Sequence, residues 1–182
     1  MRIECSQCAI RTLRADDATA IARHANNPNV SRWLRDIVPY PYAMADAQAW
    51  IAGALAARPQ STFAIEVGGE AVGAINYIPG EDIERYSVEI GYWLGEPFWG
   101  RGIATAAVKL FCDYCFTELN LLRLYALPFG DNPGSLRVLE KAGFMREGVL
   151  KAAVVKRGVV HDYVIYARIN PQWKPPADFN AE

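Results

Sequence analysis

The sequence of 182 residues lacks long apolar runs, and no stretch approaches the roughly 20 consecutive apolar residues of a membrane-spanning helix. It also lacks a surplus of charge of either sign, because 19 Lys and Arg face 20 Asp and Glu. A net charge of −1 provides none of the basic excess that nucleic-acid-binding proteins carry. The N-terminus lacks the apolar core of a signal peptide. We therefore expect a cytoplasmic protein with neither a membrane nor a nucleic-acid partner.

Cysteine is scarce, but the four cysteines form two C-x-x-C pairs, Cys5/Cys8 and Cys112/Cys115. The pairs are too far apart in the sequence for the short ligand spacing of zinc fingers. Cys112 and Cys115 also lie within an apolar helical pattern, where a free cysteine behaves as a small hydrophobic side chain. We expect packing cysteines and no metal site, with a zinc-ribbon interaction module as the remote alternative.

The length and composition indicate one globular domain, since 52% of the residues are hydrophobic and 21% are charged. A chain of this size buries roughly 70% of its unfolded surface and needs no disulfide or metal for stability. No repeat, linker or low-complexity segment interrupts it. We assign residues 1–170 to the domain and residues 171–182, which are rich in proline, to a loose C-terminal tail.

Hydrophobic periodicity predicts an α/β (α+β) fold with a mixed sheet of about seven strands and helices on both faces. The segment from residue 87 through a helix to residue 129 is expected to form a right-handed parallel crossover. The predicted strands are 9–14, 62–67, 71–78, 87–94, 121–129, 145–155 and 160–169; the predicted helices are 16–26, 46–58, 103–118 and 132–143.

A glycine turn, Gly100-Arg101-Gly102, connects the predicted strand 87–94 to the helix that begins at Ile103. Glycine lets the backbone N–H groups face a ligand, and a helix N-terminus adds further donors and partial positive charge. These features suit a phosphate or pyrophosphate, and Thr105 offers a hydroxyl in the first turn. The alternative is a tight connection without a ligand. The turn matches neither a dinucleotide fingerprint nor a nucleotide-hydrolase phosphate loop.

A second helix start lies at Asn132-Pro133-Gly134-Ser135. Asn132 is a favourable N-cap and Pro133 is suited to the first helical position, so Ser135 falls in the first turn. Each residue has a structural explanation when it is considered alone.

Taken in order, three segments resemble the motifs of the GNAT superfamily of acetyl-CoA-dependent N-acetyltransferases: 89–94 (EIGYWL), 100–105 (GRGIAT) and 132–144 (NPGSLRVLEKAGF). The resemblance runs from about residue 9 to residue 169. Both ends are similar to the branch that contains the ribosomal-protein N-terminal alanine and serine acetyltransferases. It implies a GNAT fold, with a mostly antiparallel twisted sheet and a splayed pair of parallel strands.

The resemblance also implies an acetyl-CoA site in which the glycine-turn backbone holds the pyrophosphate and the strand edge holds pantetheine. Trp99 departs from the Gln or Arg that many members carry before the glycines, although the resembled branch often has Trp there. The implied cofactor-binding residues are Tyr92, Trp93, Leu94, Gly100, Arg101, Gly102, Ile103, Ala104, Thr105, Asn132 and Ser135.

Glu89 is the predicted general base, because it interrupts an apolar strand where an ionised carboxylate requires a partner or solvent. Glu147, His161 or a water molecule are the alternatives, and Asp162 lies beside His161. Ser135 is the predicted donor to the departing thiolate. A non-catalytic carboxylate at Glu89 and a plain helix serine at Ser135 remain open at this point.

The irregular segments 26–44 and 80–86 are expected to hold the acceptor amine. Trp33, Arg35, Tyr40 and Tyr42 are the predicted contacts, although these aromatic side chains could simply cover the sheet edge. The expected reaction is direct acetyl transfer to a protein or peptide N-terminal α-amine. The alternatives are a small amine such as a polyamine, amino acid or aminoglycoside, or a non-catalytic acyl-CoA-binding module. We expect a monomer or homodimer.

Overall fold

The computed structural model describes residues 1–176. Eight strands form one sheet in the order β1-β2-β3-β4-β5-β6-β8-β7. All neighbouring pairs are antiparallel except β5 and β6. The strands are β1 Arg2–Glu4, β2 Ala9–Thr12, β3 Thr62–Val67, β4 Glu70–Ile78, β5 Ser87–Leu94, β6 Arg123–Ala126, β7 Met145–Lys156 and β8 Val159–Ile169.

Helices cover both faces of this sheet, because their apolar stripes are buried against it. One core joins the inner faces of two helices to the β-sheet side chains around Phe63, Ile75 and Val88. The other core joins Ile21, Ile51 and their neighbours to the opposite face. The first face carries α4 Ile103–Thr117 and α5 Pro133–Lys141, and the second carries α1 Ala18–Ala25 and α3 Met44–Ala56; the short α2 Pro28–Ser31 follows α1.

The predicted α+β fold is confirmed, with one strand more than the sequence pattern indicated. The additional strand, β1, pairs Arg2 with Arg11 and Glu4 with Ala9. It has only three residues, two of them charged, and this is too short for the hydrophobic alternation from which a strand can be predicted. In addition, β6 is shorter than the predicted strand 121–129.

The parallel strands β5 and β6 pair with each other over a short distance only. Its register runs from Ser87–Arg123 to Glu89–Tyr125, whereas β5 continues to Leu94 in pairing with β4. Beyond Glu89 the two parallel strands therefore diverge. The gap between β5 and β6 opens towards the first face, which carries α4 and α5. The site described below lies at this gap.

The segment after β8 contacts the domain through Trp173. Its indole N–H donates to the Asn120 carbonyl oxygen at 2.9 Å, and its ring lies edge-on to Tyr86 with centroids 5.4 Å apart. The rest of the predicted loose tail, residues 177–182, lies outside the described residues.

Across residues 1–176, no helix combines the length and apolar character needed to cross a membrane. The same range holds no group of three or more His, Cys, Asp or Glu side chains arranged to bind a metal ion. Cys112 and Cys115 lie on the buried face of α4 in the first core, where burial raises their thiol pKa values, to about 12 for Cys112.

Candidate active site

The gap between the diverging strands is bridged by a contact between Tyr92 of β5 and Ser135 of α5. The Tyr92 hydroxyl lies 2.9 Å from Ser135 Oγ and also donates to the Ser135 carbonyl oxygen at 3.3 Å. Burial raises the pKa of Tyr92 well above its ordinary value, against the smaller lowering effect of the Ser135 hydrogen bond. Tyr92 is therefore a protonated phenol, so the two hydroxyls form a pair that can supply a hydrogen bond in the gap.

The glycine turn takes the conformation that the sequence predicts for an anion site. Gly100 and Gly102 have φ angles of +72° and +79°, which favour glycine. The first intrahelical bond of α4 runs from the Ala106 N–H to the Gly102 carbonyl oxygen at 3.0 Å. The N–H groups of Ile103, Ala104 and Thr105 thus belong to the helix N-terminus, where N–H groups have no intrahelical acceptor.

Open space faces this turn. A Cβ atom added at Gly100 or at Gly102 would meet no heavy atom within 4 Å. The backbone can therefore approach a bulky anion directly, and Arg101 adds an exposed positive charge beside it. The arrangement fits the pyrophosphate of a coenzyme A thioester.

The two rings before the turn fix it to the sheet. The Trp99 indole N–H donates to the Leu94 carbonyl oxygen at 2.7 Å, at the end of β5. Phe98 packs against the first core, and the Arg101 guanidinium lies 5.4 Å from its ring centroid. The rings hold the turn through its flanks and leave its backbone amides exposed to a ligand.

Not every predicted cofactor residue presents its side chain to the gap. Leu94 and Ile103 are 5% and 3% exposed in the first core, so they can offer only backbone groups. Trp93 points to the opposite face of β5 and packs against the second core. Among the predicted side chains on β5, Tyr92 is the one that contacts α5.

Asn132 is the N-cap of α5, as the sequence indicates. Its Oδ1 accepts a hydrogen bond from the Ser135 N–H at 3.1 Å. Its Nδ2 group makes no hydrogen bond within residues 1–176. One end of the amide therefore fixes the helix start beside Ser135, and the other end is available to a ligand in the gap.

Glu89 lies on β5 at the point where the parallel strands separate. Its carboxylate accepts a hydrogen bond from Arg35 Nη2 at 2.5 Å, and its side chain is 18% exposed. Tyr125, its partner across the parallel register, has a pKa raised first by burial and then by the carboxylates of Glu89 and Glu84. The positive charges of Arg123 and Arg35 oppose this effect, so charged groups of both signs, carboxylates and guanidinium groups, lie at this end of the gap.

The alternative bases are engaged in other contacts. Two hydrogen bonds from Arg123 hold Glu147, and the Arg123 side-chain hydrogen bond lowers its pKa. His161 Nδ1 lies 3.1 Å from both Asp131 carboxylate oxygens. Asp162 pairs with Lys151 at 2.8 Å, and that hydrogen bond lowers the Asp162 pKa. Like Glu89, which pairs with Arg35, none of these side chains hydrogen-bonds to the Tyr92–Ser135 pair.

Of the four predicted acceptor contacts, one is bound to Glu89. Arg35 binds Glu89 directly, and Trp33 packs against Phe129 with centroids 6.0 Å apart. Tyr40 is 43% exposed. Tyr42 is only 6% exposed and belongs to the second core, so the structure places it beneath this region rather than at its surface.

Sequence reasoning missed the tip of the β7–β8 hairpin, which reaches across to the same segment. Lys156 Nζ lies 2.5 Å from Asp36, and Arg157 donates to Ser31 Oγ at 2.8 Å. The Arg157 guanidinium also lies 5.2 Å from the Tyr40 ring centroid. More than a hundred residues separate these partners in the sequence, so no local pattern could indicate the contact.

Comparison with known proteins identifies the family of the chain. Residues 8–145 match the model of the acetyltransferase (GNAT) domain family. Among solved structures, Mycobacterium smegmatis RimJ in complex with CoA-disulfide has a TM-score of 0.80 and 30% identity, covering 89% of this chain and 81% of that one.

Two curated relatives carry different acceptors in their names. YdaF of Bacillus subtilis (strain 168), named provisionally as a ribosomal N-acetyltransferase, is 34% identical over 58% of this chain and 57% of its own length. The spermidine N(1)-acetyltransferase of Escherichia coli (strain K12) is 29% identical over 78% of this chain and 74% of its own. The chain thus spans little more than half of YdaF, and 45% of another B. subtilis relative that is 48% identical over 82 residues. Because residues 8–145, three quarters of this chain, match the family model, the chain belongs to the GNAT acetyltransferase family.

Proposed function

We propose that this GNAT acetyltransferase transfers the acetyl group of acetyl-CoA to the N-terminal α-amine of a protein or peptide, by direct attack in a ternary complex. The observation that carries the proposal is the arrangement along β5. The strand places Glu89 at the start of the gap and Tyr92 beside Ser135, and the glycine turn follows its end. Acceptor, thioester and pyrophosphate can thus be bound in sequence along one strand.

The glycine turn would hold the pyrophosphate through the N–H groups at the start of α4, assisted by the helix dipole and by Arg101. The β5 edge beyond Glu89 would bind the amide groups of pantetheine as an added strand does. The free Nδ2 group of Asn132 would donate to the same arm. These contacts would position the thioester carbonyl near the Tyr92–Ser135 pair.

Glu89 would accept a proton from the bound ammonium, directly or through a water molecule. The neutral amine would then attack the thioester carbonyl carbon, and the C–S bond would break as the C–N bond forms. The nitrogen would release its surplus proton, and the departing sulfur would take up a proton to leave as the CoA thiol. Ser135, hydrogen-bonded to the protonated Tyr92, would donate to the departing thiolate. Because the sulfur leaves with the electrons of the C–S bond, a neutral hydroxyl donor is the appropriate partner.

The acceptor would enter beside Trp33, Arg35 and Tyr40, across from the tip of the β7–β8 hairpin. This surface is built from an irregular segment and a hairpin tip, which suits an extended peptide. The name of YdaF also favours a protein acceptor. The carboxylates of Glu84 and Glu89 and the spermidine-acetylating relative support a polyamine as the second candidate.

A thiol-release assay with acetyl-CoA tests both candidates. The panel would contain peptides with free N-termini, the same peptides with blocked N-termini and an internal lysine, and spermidine. The proposal predicts CoA release with free N-termini only, and mass spectrometry would locate the acetyl group on the α-nitrogen. Release with spermidine but with no peptide would refute the proposed acceptor and favour the second candidate.

A further inference from the structure

The turn that leads into the glycine turn is held by a cluster of side chains from α1 and α2. A single 3-10 turn, Glu96–Phe98, directly precedes Trp99 and the two glycines. Glu96 Oε2 accepts from Asn27 Nδ2 at 2.6 Å, and Glu96 Oε1 accepts from Asn29 Nδ2 at 2.8 Å. Each carboxylate oxygen thus has its own amide donor.

The two asparagines are themselves fixed relative to each other. Asn27 is the N-cap of α2, and its Oδ1 accepts from the Asn29 N–H at 2.8 Å. The amide group of Asn27 therefore uses one end to begin the helix and the other to bind Glu96. A carboxylate between two such amides is held in position more firmly than by a single flexible partner.

His24 of α1 supports the same turn from beneath. It is 8% exposed, its Nε2 lies 2.5 Å from Glu70 Oε1, and its ring meets Phe98 edge-on with centroids 5.4 Å apart. A Cβ atom at Gly95 would lie 2.8 Å from His24 Nδ1, so the backbone packs directly on the imidazole. Helix α1 and the start of α2 thus fix the turn that leads into the glycine turn.

We propose that Asn27, Asn29 and Glu96 are positioning residues for acetyl-CoA, because they set the geometry of the glycine turn without touching the coenzyme. The inference depends on the proposed role of that turn in pyrophosphate binding. Breaking the cluster would let the turn move relative to the N-terminus of α4. It would weaken binding of ligands that contain the pyrophosphate and leave the acetyl-transfer step itself intact.

The decisive variant is Asn27→Asp, because aspartate preserves the N-cap acceptor but places a negative charge against Glu96. We expect the Kd for CoA, measured by calorimetry, to rise about fivefold to tenfold, within the range of couplings between contacting residues. The KM for acetyl-CoA should rise in parallel, with kcat nearly unchanged. S-acetylpantetheine, which lacks the pyrophosphate, should retain its kcat/KM.

The double variant Asn27→Asp/Glu96→Gln restores an amide–carboxylate hydrogen bond with its direction reversed, and it should recover most of the CoA affinity. Glu4→Gln, the same substitution in an exposed ion pair on β1, is the matched control for the Glu96→Gln change. An unchanged CoA affinity in Asn27→Asp would overturn the inference. So would an affinity loss that the double variant does not reverse, or one that extends equally to S-acetylpantetheine. If the wild-type protein failed to bind CoA at all, the proposed function would fail instead.

Discussion

Arg35 Nη2 lies 2.5 Å from Glu89 Oε1, which joins the segment after α2 to the strand where the parallel pair separates. The two side chains are 58% and 18% exposed, so solvent still reaches the pair. An exposed ion pair of this kind contributes little to stability. In the proposed mechanism its importance is positional, because the guanidinium occupies the place beside the carboxylate that the acceptor ammonium would take.

Replacing the proposed base should therefore impair turnover and leave the coenzyme site intact. We expect Glu89→Gln to lower kcat by about 10²-fold or more, in the usual range for general-base catalysis, with the Kd for acetyl-CoA unchanged. Steady-state rates from pH 6 to pH 10, together with calorimetry, would measure both quantities. A variant as fast as the wild type over this whole pH range would exclude Glu89 as the base.

The Tyr92–Ser135 hydroxyl pair gives a second prediction about turnover. Ser135→Ala should lower kcat by about 10²-fold, the lower end of general-acid effects. Tyr92→Phe should have a smaller effect, since Ser135 would keep its own hydroxyl. Because the hydroxyls act as one unit, the double variant should be hardly slower than Ser135→Ala. Strictly additive losses in this cycle would show that the hydroxyls act separately.

Gly102 tests the pyrophosphate site, and the hairpin offers a matched control. Gly102→Val should abolish measurable CoA binding, because a branched side chain would fill the open space before the turn. A valine at position 102 would also have to adopt the positive φ of Gly102, which adds a strain of about 1–2 kcal/mol. Gly158, with a φ of +80° and equally open surroundings, carries the same strain away from the turn. Gly158→Val should lose similar stability and retain CoA affinity; equal CoA binding by both variants would contradict the assignment.

The two roles of Asn132 can be separated by substitution. Asn132→Asp keeps the oxygen that caps α5 but removes the Nδ2 donor proposed for pantetheine. We expect unchanged thermal stability and weaker binding of CoA. Asn132→Ala removes both groups and should also cost about 1 kcal/mol of stability through the lost cap. Full CoA affinity in Asn132→Asp would restrict Asn132 to its structural role.

The buried charges beside β2 predict how stability depends on pH. Burial alone would raise the pKa of Asp17, but hydrogen bonds from Arg11 and from the Arg14 N–H outweigh it and lower the pKa below 3.8. Glu66 is lowered below 4.5 in the same way, by Arg11 and Arg2 against burial. Both carboxyls bind protons less readily in the folded state than in the unfolded state, so their stabilising effect is complete above about pH 5.

This contribution should disappear as the pH falls through 4.5 and 3.8 towards the lowered folded pKa values. Asp17→Asn, which leaves Arg11 short of one charge partner, should lower the free energy of unfolding by about 3 kcal/mol at pH 7. The difference from the wild type should shrink at pH 3. Urea unfolding at both pH values would measure it, with Asp113→Asn, the same substitution at an exposed carboxylate that pairs with Arg168, as the control. A difference that does not depend on pH would rule out the charge pairing as its cause.

Much of the fold could be predicted because the relevant signals are local. Periodicity located seven of the eight strands, and the cap residues Asn132 and Pro133 marked the start of α5. The N-terminal strand β1 was missed because three residues carry no periodicity. The position of Tyr42 in the core was also missed. In an irregular segment, the sequence does not distinguish an aromatic side chain at the surface from one in the core.

The sequence by itself determined the glycine turn, the helix that follows it and the acidic residue within β5, because each depends on backbone freedom, capping or hydrophobic alternation over a few neighbouring residues. Only the tertiary structure decided which side chains meet. The Tyr92–Ser135 pair, the Arg35–Glu89 pair and the amide cluster around Glu96 join residues that lie more than forty positions apart. Such contacts depend on how the chain crosses the sheet and where the parallel strands separate, and no pattern within a short segment contains that information.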